Sequence, residues 1–551
     1  MSDNLSALSG RKGLEENLFD QLVKKAKVTG TPDDETLRSL AQEYLMGEAI
    51  TYGTASFYDF LKKEHEGGRV HVCNGSACLV AGTQENVKKK LSAQFKPEEI
   101  GHMCCLGRCH ENSAFNLNGH NYSGDAIDHL DTLIQSKKSR LDTYRVEANV
   151  PDPVLTGAPI DAGQFAVLFQ EVLKKGADQA LAEIKKSGIR GRGGAGFPMA
   201  MKLAACRDAV SQQKFIVCNA DEGDPGAYSD RYLLEKQPLL VLFGMMVSGY
   251  IVGANRGALY IRGEYPEAVR IVQQAVEDLI AIGLVGKEIG SSGFRFDFKV
   301  IEGAGAYICG EETALLSSLE GQRPEVRVRP PYPTQHGLFN KPTVVNNVET
   351  QAALYWILKN GGDAYAEFGT EKSTGTKLVC LDSFFKKPGL YEINMGTPFE
   401  DVIYGFGGGF KSPVKAVHVG GPLGGIVPVR KIKDLTLDFE SFSKEGFLLG
   451  HAGIVSIPEA FPMIDYLHHL FQFTADESCG KCFPCSIGSV RGMEMIDHSR
   501  EGSAKLDRQL MDDLLETMET GSLCALGGGL PLGVKNALHY FKDELNDYFK
   551  N

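Results

Sequence analysis

The chain has 551 residues, 43% of them hydrophobic, and a formal net charge of −12. That acidity argues against nucleic acid as a main partner and leaves no basic segment for a membrane surface. No apolar run reaches the roughly 18 residues of a membrane span, and Met1-Ser-Asp-Asn lacks the charged start and apolar centre of a signal peptide, so the chain is expected in the cytoplasm. The 13 cysteines would not form a disulfide framework there, and eight of them cluster at ligand-like spacing.

In chain order, Leu37, Leu40, Ala41, Tyr44 and Leu45 recur at helical steps, so residues 1–65 read as a small helical subdomain. Arg69-Val-His-Val-Cys73 reads as a strand leading into Cys73-x4-Cys78. A charged helix follows over about 82–95, then Cys105-x3-Cys109, then the hairpin Phe115–Tyr122 with Asn118-Gly119 as its turn. Four thiolates at this spacing suit a [2Fe–2S] cluster, each iron taking two. Zinc and a cluster-free domain are the alternatives. Pro151, Pro153, Gly157 and Pro159 mark residues 140–160 as a linker.

Ala177–Ser187 has the pattern of a short amphipathic helix, with Gly188 placed to end it. The next stretch, Arg190-Gly-Arg-Gly-Gly-Ala-Gly-Phe-Pro198, satisfies G-x-G-x-x-G at Gly191, Gly193 and Gly196. A helix precedes these glycines where the dinucleotide-binding fingerprint needs a strand, so the ordinary Rossmann assignment fails. A plain Gly-rich linker is the other reading of the loop alone. Lys214–Cys218 reads as a buried strand that places Asn219, Asp221, Glu222 and Asp224 in a turn at its carboxyl end, where open α/β sheets bind ligands. Gly303-Ala-Gly-Ala-Tyr-Ile-Cys-Gly-Glu-Glu312 adds a backbone-lined pocket with carboxylates at a helix start, and Asn346-Asn347 adds two amides. From about 373 to 450 short apolar runs alternate with Gly-rich turns. After Ala460 the pattern is helical and carries Cys479-x2-Cys482-x2-Cys485, with Cys524 as a distant fourth. Three cysteines at two-residue spacing are the habit of a [4Fe–4S] site. Cys206, Cys218, Cys309 and Cys380 read as buried small hydrophobes.

These motifs, in this order, resemble the NADH-oxidising, FMN-binding subunit of respiratory complex I and its relatives, the diaphorase subunits of NAD-reducing hydrogenases and NAD-dependent formate dehydrogenases. The resemblance implies a multidomain α/β chain. It comprises a small helical subdomain (1–65), a thioredoxin-like [2Fe–2S] ferredoxin domain (66–145), an α/β FMN/NAD-binding domain of non-Rossmann type (146–365), a β-grasp-like SLBB domain (366–455) and a helical [4Fe–4S] domain (456–551). It implies that Cys73, Cys78, Cys105 and Cys109 hold one cluster, Cys104 standing beside it as a spare thiol. Cys479, Cys482, Cys485 and Cys524 would hold the other.

By the same resemblance FMN is held by the loop Gly191, Arg192, Gly193, Gly194, Ala195 and Gly196, by Asn219 and Asp221 with neighbouring Glu222, by Tyr307, Gly310 and Glu311, and by Asn346 and Asn347. NAD(H) falls to Phe197, Lys202, Asp224, Glu312 and Tyr332. Hydride passes between nicotinamide and flavin with no side chain as acid or base, because position and electrostatics suffice. Glu311 and Glu312 imply a preference for NAD(H) over NADP(H). Lys202-Leu-Ala-Ala205 departs from relatives that carry aromatics there, which weakens the expected adenine contact. Details such as Asp221-Glu-Gly-Asp224, Leu449-Gly-His-Ala-Gly453 and Ser478-Cys-Gly-Lys-Cys482 look most like a formate dehydrogenase β subunit. The implied partner is therefore a molybdenum or tungsten catalytic subunit, with a small [2Fe–2S] subunit as a further candidate. The diaphorase of an NAD-reducing hydrogenase, or another complex I-like NADH dehydrogenase, is the alternative, and a non-enzymatic iron–sulfur relay scaffold is the alternative of another class.

Overall fold

Alternating apolar residues build β1 (Val70–Cys73), β2 (Ile100–Met103), β3 (Phe115–Leu117) and β4 (His120–Tyr122) into a sheet of order β2-β1-β3-β4. β1 runs parallel to β2 and antiparallel to β3. Asn118 and Gly119 turn the β3–β4 hairpin at φ of 50° and 79°, the left-handed pair that a two-residue turn requires. The computed structural model describes residues 13, 14, 17–29, 32–61, 70–136, 142–286, 288, 289 and 292–550. Met1-Ser-Asp-Asn, the division at 65/66, Arg69 and the first residues of the 140–160 stretch lie outside them.

β5 (Arg145–Ala148) lies in the stretch read as linker and pairs in parallel with β11 (Gly389–Asn394). Its burial alternates between exposed and half-buried, as on a sheet edge, so its apolar content is too low to announce a strand. The central sheet holds β6 (Phe215–Ala220), β7 (Arg256–Ile261), β8 (Asp297–Glu302) and β9 (Thr343–Asn347) in the order β8-β7-β6-β9. All its pairings are parallel. One face is covered by the helices Pro238–Val252 and Val348–Asn360, both buried along almost their whole length. A helix apolar on every side belongs inside, and Gly244 permits the contact: a Cβ there would stand 2.0 Å from the Gln351 carbonyl.

The N-terminal helices Leu18–Thr29, Asp34–Glu43 and Glu48–Ala55 share a core with the other face, where Leu18, Phe19, Leu37 and Leu40 join Val217, Tyr260 and Ile301. Asn17 Nδ2 donates to the Leu319 carbonyl at 3.3 Å. The Asp59 and Phe60 amides donate to the Gly305 and Ala304 carbonyls at 2.9 and 3.1 Å.

The third sheet adds β10 (Thr376–Leu381), β12 (Val414–Val419), β13 (Gly425–Pro428) and β14 (Gly453–Pro458), in the order β13-β12-β14-β10-β11-β5. Helices Met463–Asp476, Phe483–Arg500, Arg508–Gly521 and Ala525–Tyr540 follow. Among the described residues, no helix is long and apolar enough to cross a membrane.

Candidate active site and metal centres

The helix Ala177–Ser187 ends at Gly188 with φ of 62°, and a bridge between Arg190 and Pro198 closes the glycine loop at its base. Arg190 Nε donates to the Gly196 carbonyl at 2.6 Å, and its guanidinium lies over Phe439 at 4.6 Å. Arg192 is buried: its amide donates to Thr350 Oγ1 and its guanidinium to the Thr374 carbonyl at 2.6 Å. The loop therefore offers backbone rather than the Arg192 side chain. Gly193 and Ala195 are exposed. Gly194 has φ of 110°, open to glycine but strained for other residues. A Cβ on Gly193 would meet Asn347 at 3.0 Å, so loop and β9 already touch.

β6 and β9 set Cys218 opposite Asn346 and Asn219 opposite Asn347 at adjacent carboxyl ends. Asn219 Nδ2 donates to the Gly310 carbonyl at 2.7 Å, linking this edge to the 303–312 loop. Asn347 caps its helix through Glu349 N and donates to Asp230 at 2.6 Å. Asn346 is 6% exposed and its Nδ2 has no partner, an expensive state for a buried donor unless a ligand satisfies it. Burial holds Asp221 well above the carboxylate range, opposed by Arg262 at 3.9 Å and reinforced by Glu264 and Asp224. An orphan amide, bare loop backbone and a buried carboxyl able to accept from hydroxyl groups fit a phosphorylated polyol such as the tail of FMN.

Two predicted carboxylates are spent on structure. Glu222 accepts from Ser229 Oγ and Asp230 N, both at 2.9 Å, and so caps the helix Ser229–Lys236. Glu311 accepts from Thr313 N at 2.8 Å and Ala314 N at 2.9 Å, capping Glu312–Leu319. Asp224 is held at both oxygens, by the Tyr307 hydroxyl and by His451 Nε2 at 2.6 Å. The Gly453 amide donates to His451 Nδ1 at 3.1 Å, which leaves the ring proton on Nε2, facing Asp224. His451 and Arg262 are site groups that motif spacing did not flag.

Of the residues predicted for the dinucleotide, Lys202 and Glu312 are brought together, while Phe197 and Tyr332 are exposed. Phe197 is 45% and Tyr332 55% exposed. Lys202 Nζ stands 3.2 Å from Glu312 and donates to the Val345 carbonyl at 2.9 Å. The helix Met199–Asp208 packs on Pro333–His336, which brings Lys202 toward Tyr332. Arg329 completes the group, its Nη1 2.9 Å from Glu312. The sequence signal available for it was a lone cation before Pro330-Pro331.

Cys73, Cys78, Cys105 and Cys109 are each 1–2% exposed. Cys105 and Cys109 sulfurs lie 3.4 Å apart, and the Gly107 and Gly226 amides donate to them at 3.4 and 3.2 Å. Contact with Cys105, then burial, pushes the Cys109 thiol well up. Crowded thiols receiving N–H donors fit an iron–sulfur cluster, whose positive ions favour the thiolates. Gly226 belongs to the acidic turn after β6, so flavin pocket and cluster ligand share one loop.

Cys479 and Cys485 are 6% and 4% exposed, while Cys482 and Cys524 are half-buried. Burial pushes Cys485 up to about 11 and Cys524 up to about 12, the latter opposed by the Leu526 amide and raised further by Glu311, Cys485 and Cys479. Cys485 thus lies within electrostatic reach of Cys482 and Cys479, and Cys524 within reach of Cys485, Cys479 and Glu311. A Cβ on Gly527 would stand 2.5 Å from Cys485 Cβ, so that glycine lets the last helix approach. Tyr307 connects the regions: its amide donates to Glu477 at 2.8 Å and its ring meets Phe473 edge-on at 4.9 Å. Cys104 borders this junction, and Cys206, Cys218, Cys309 and Cys380 are buried as expected.

Three family profiles match: the Nuo51 FMN-binding domain over residues 184–356, the NADH-ubiquinone oxidoreductase-F iron-sulfur binding region over 465–548, and the thioredoxin-like [2Fe-2S] ferredoxin over 11–138. The NADP-reducing hydrogenase subunit HndC of Solidesulfovibrio fructosivorans is 42% identical over 66% of this chain and 74% of its own. The alpha subunit of the NAD-reducing hydrogenase HoxS of Cupriavidus necator is 32% identical over 89% of this chain and 85% of its own. The mitochondrial NADH dehydrogenase (ubiquinone) flavoprotein 1 of Dictyostelium discoideum is 34% identical over 69% and 81%. A crystal structure of an NAD+-reducing [NiFe]-hydrogenase in the H2-reduced state contains a chain matching 97% of this one and 93% of its own length, at a TM-score of 0.86 and 28% identity. The chain belongs to the complex I 51 kDa-type flavoprotein family, with FMN, [4Fe–4S] and fused [2Fe–2S] modules, and is an NADH:acceptor oxidoreductase subunit.

Proposed function

We propose that this chain is the diaphorase subunit of a cytoplasmic NAD-dependent formate dehydrogenase. It exchanges electrons between NAD(H) and a molybdenum- or tungsten-bearing catalytic subunit. The five units 1–65, 66–145, 146–365, 366–455 and 456–551 divide the work as expected above. The diaphorase reading is supported by one observation above others: the unpartnered, buried Asn346 amide lies beside Asn347, which the glycine loop approaches, on a sheet edge linked through Asn219 to the 303–312 loop, whose Tyr307 amide donates to Glu477 next to the C-terminal cysteines. FMN, when bound, supplies the exchange of a hydride for two single electrons. Lys202 and Glu312 orient the dinucleotide between Phe197 and Tyr332. Asn346, Asp221 and the loop amides hold the flavin tail, and the Tyr307–Asp224–His451 chain fixes the wall between loop and strand ends.

The formate partner is supported by the local runs around Asp224, His451 and Cys482. A second reading, the diaphorase of an NAD-reducing hydrogenase, is supported by the likeness to the hydrogenase chain over 97% of this sequence. The test is to purify the native assembly, assay NAD+ reduction with formate and with hydrogen, and measure molybdenum, tungsten and nickel. Formate-dependent reduction with molybdenum or tungsten supports the first reading; nickel with hydrogen-dependent reduction and no formate activity replaces it by the second. Asp221→Ala should lower flavin occupancy and NADH oxidation by an artificial acceptor. A fully loaded variant with unchanged turnover would remove Asp221 from the site.

A further inference from the structure

The two glutamates at the pocket mouth carry no uncompensated charge. Glu311 is a helix cap whose second oxygen lies 3.8 Å from Arg329. Glu312 meets Lys202 at 3.2 Å with one oxygen and Arg329 at 2.9 Å with the other. Two anions face two cations, so repulsion by bare carboxylates is too simple an account of coenzyme choice.

The two cations are held differently. Lys202 is tied to β9 through the Val345 carbonyl at 2.9 Å. Among the described residues, Arg329 makes its ion pairs with Glu311 and Glu312. It stands on an outward strap whose root is pinned by Arg327, 2.9 Å from Glu320, while Val328 and Tyr332 beside it are 62% and 55% exposed. Its guanidinium can therefore turn from Glu312 without disturbing the backbone. A guanidinium is also the side chain that grips a phosphate through two parallel N–H bonds.

We propose that Arg329 is the 2′-phosphate ligand of this coenzyme pocket, kept masked by Glu312, so that the Glu312–Arg329 ion pair sets the choice between NADH and NADPH. The proposal rests on the nucleotide reading of the pocket. While the pair is closed, the guanidinium is occupied and offers a 2′-phosphate no free donor, whereas a ribose 2′-hydroxyl brings no charge that needs one. Neutralising Glu312 releases Arg329 toward a phosphate. Simple repulsion predicts something else: the same neutralisation would admit NADPH whether or not Arg329 is present.

The experiment is a double-mutant cycle on the flavin-loaded protein with Glu312→Gln, Arg329→Gln and both together. It reads calorimetric affinities for 2′,5′-ADP and 5′-ADP, which need no turnover, and kcat/KM for NADPH and NADH. Glu312→Gln should raise 2′,5′-ADP affinity and the NADPH:NADH ratio by about tenfold, the scale of one charge-assisted contact. Adding Arg329→Gln should abolish that gain, and adding Arg329→Lys should leave part of it. An equal gain in the Glu312→Gln single and Arg329→Gln double variants overturns the proposal, as does no gain in Glu312→Gln. If 5′-ADP is not bound by the parent protein or not displaced by NADH, the pocket reading itself falls, a result distinct from an additive cycle on bound nucleotides.

Discussion

The two cysteine sets have the same donor chemistry and opposite access. The N-terminal four are sealed at 1–2% exposure by other parts of the same chain. Gly226 of the flavin region donates to Cys109, and Ser76 lies 3.0 Å from His469 of the C-terminal helices. The C-terminal set leaves Cys482 and Cys524 half-buried next to Phe483 and Leu523, which are 74% and 39% exposed. One set is enclosed by its own chain, and the other lies beside exposed apolar side chains that a second molecule can reach. Burial, not residue type, separates the two sets, since all eight side chains are thiols.

The sharpest separation is genetic. Cys78→Ala should abolish the [2Fe–2S] EPR signal and Cys482→Ala the [4Fe–4S] signal, each leaving the other intact. Loss of both signals from either change would mean that the sites fold as one. Alkylation after iron removal should come next in size: Cys482 should label at least about tenfold faster than Cys73 or Cys105, as thiol reactivity follows access. Equal labelling by peptide mass spectrometry would erase the contrast.

Of the two cysteine sets, Gly226→Ala should act on the sealed one. The glycine has φ of 100°, and a Cβ would stand 2.8 Å from Val455, so backbone strain adds roughly 1–2 kcal/mol to that clash. Reduced [2Fe–2S] content with normal [4Fe–4S] content is expected; equal loss at both sites would count against a local effect.

The smallest effect concerns pH. Asp382 is buried beneath Ser383, whose amide donates to the Cys109 carbonyl at 3.0 Å. Burial raises Asp382 from 3.8 to about 7, against hydrogen bonds from Ser456 and Phe384 and the charge of Lys411. The folded state thus holds this proton more tightly than the unfolded one. The stability it contributes is fully present below about pH 4 and is lost as pH rises through about 7. Denaturant midpoints should fall less between those values in Asp382→Asn than in the parent. An unchanged slope would assign the dependence to other groups.

Much of this was legible because it is local. The Asn118-Gly119 turn and Gly188 ending its helix each depend on a few neighbouring residues, and each stands where the pattern put it. What escaped depends on distant contacts. The pairing of β5 with β11 joins segments far apart in sequence, and a strand of Arg145, Val146, Glu147 and Ala148 carries little apolar signal. Glu222 and Glu311 looked like ligand carboxylates because composition does not reveal a helix start that will claim them. Arg329 was invisible for the opposite reason, since its partners Glu311 and Glu312 lie across a turn of irregular backbone.

The core shared by the N-terminal helices and the central sheet has a consequence for biosynthesis. Asn17 bonds to Leu319, 302 residues further along the chain. At about 5–20 residues per second a ribosome takes roughly 15–60 s to make that interval. For most of it Leu18, Phe19, Leu22, Leu37 and Leu40 have been synthesised but lack the strands they will cover, the first of which is Phe215–Ala220. The first helices to emerge are thus among the last to dock, and a nascent chain paused before residue 300 should present that apolar face to chaperones.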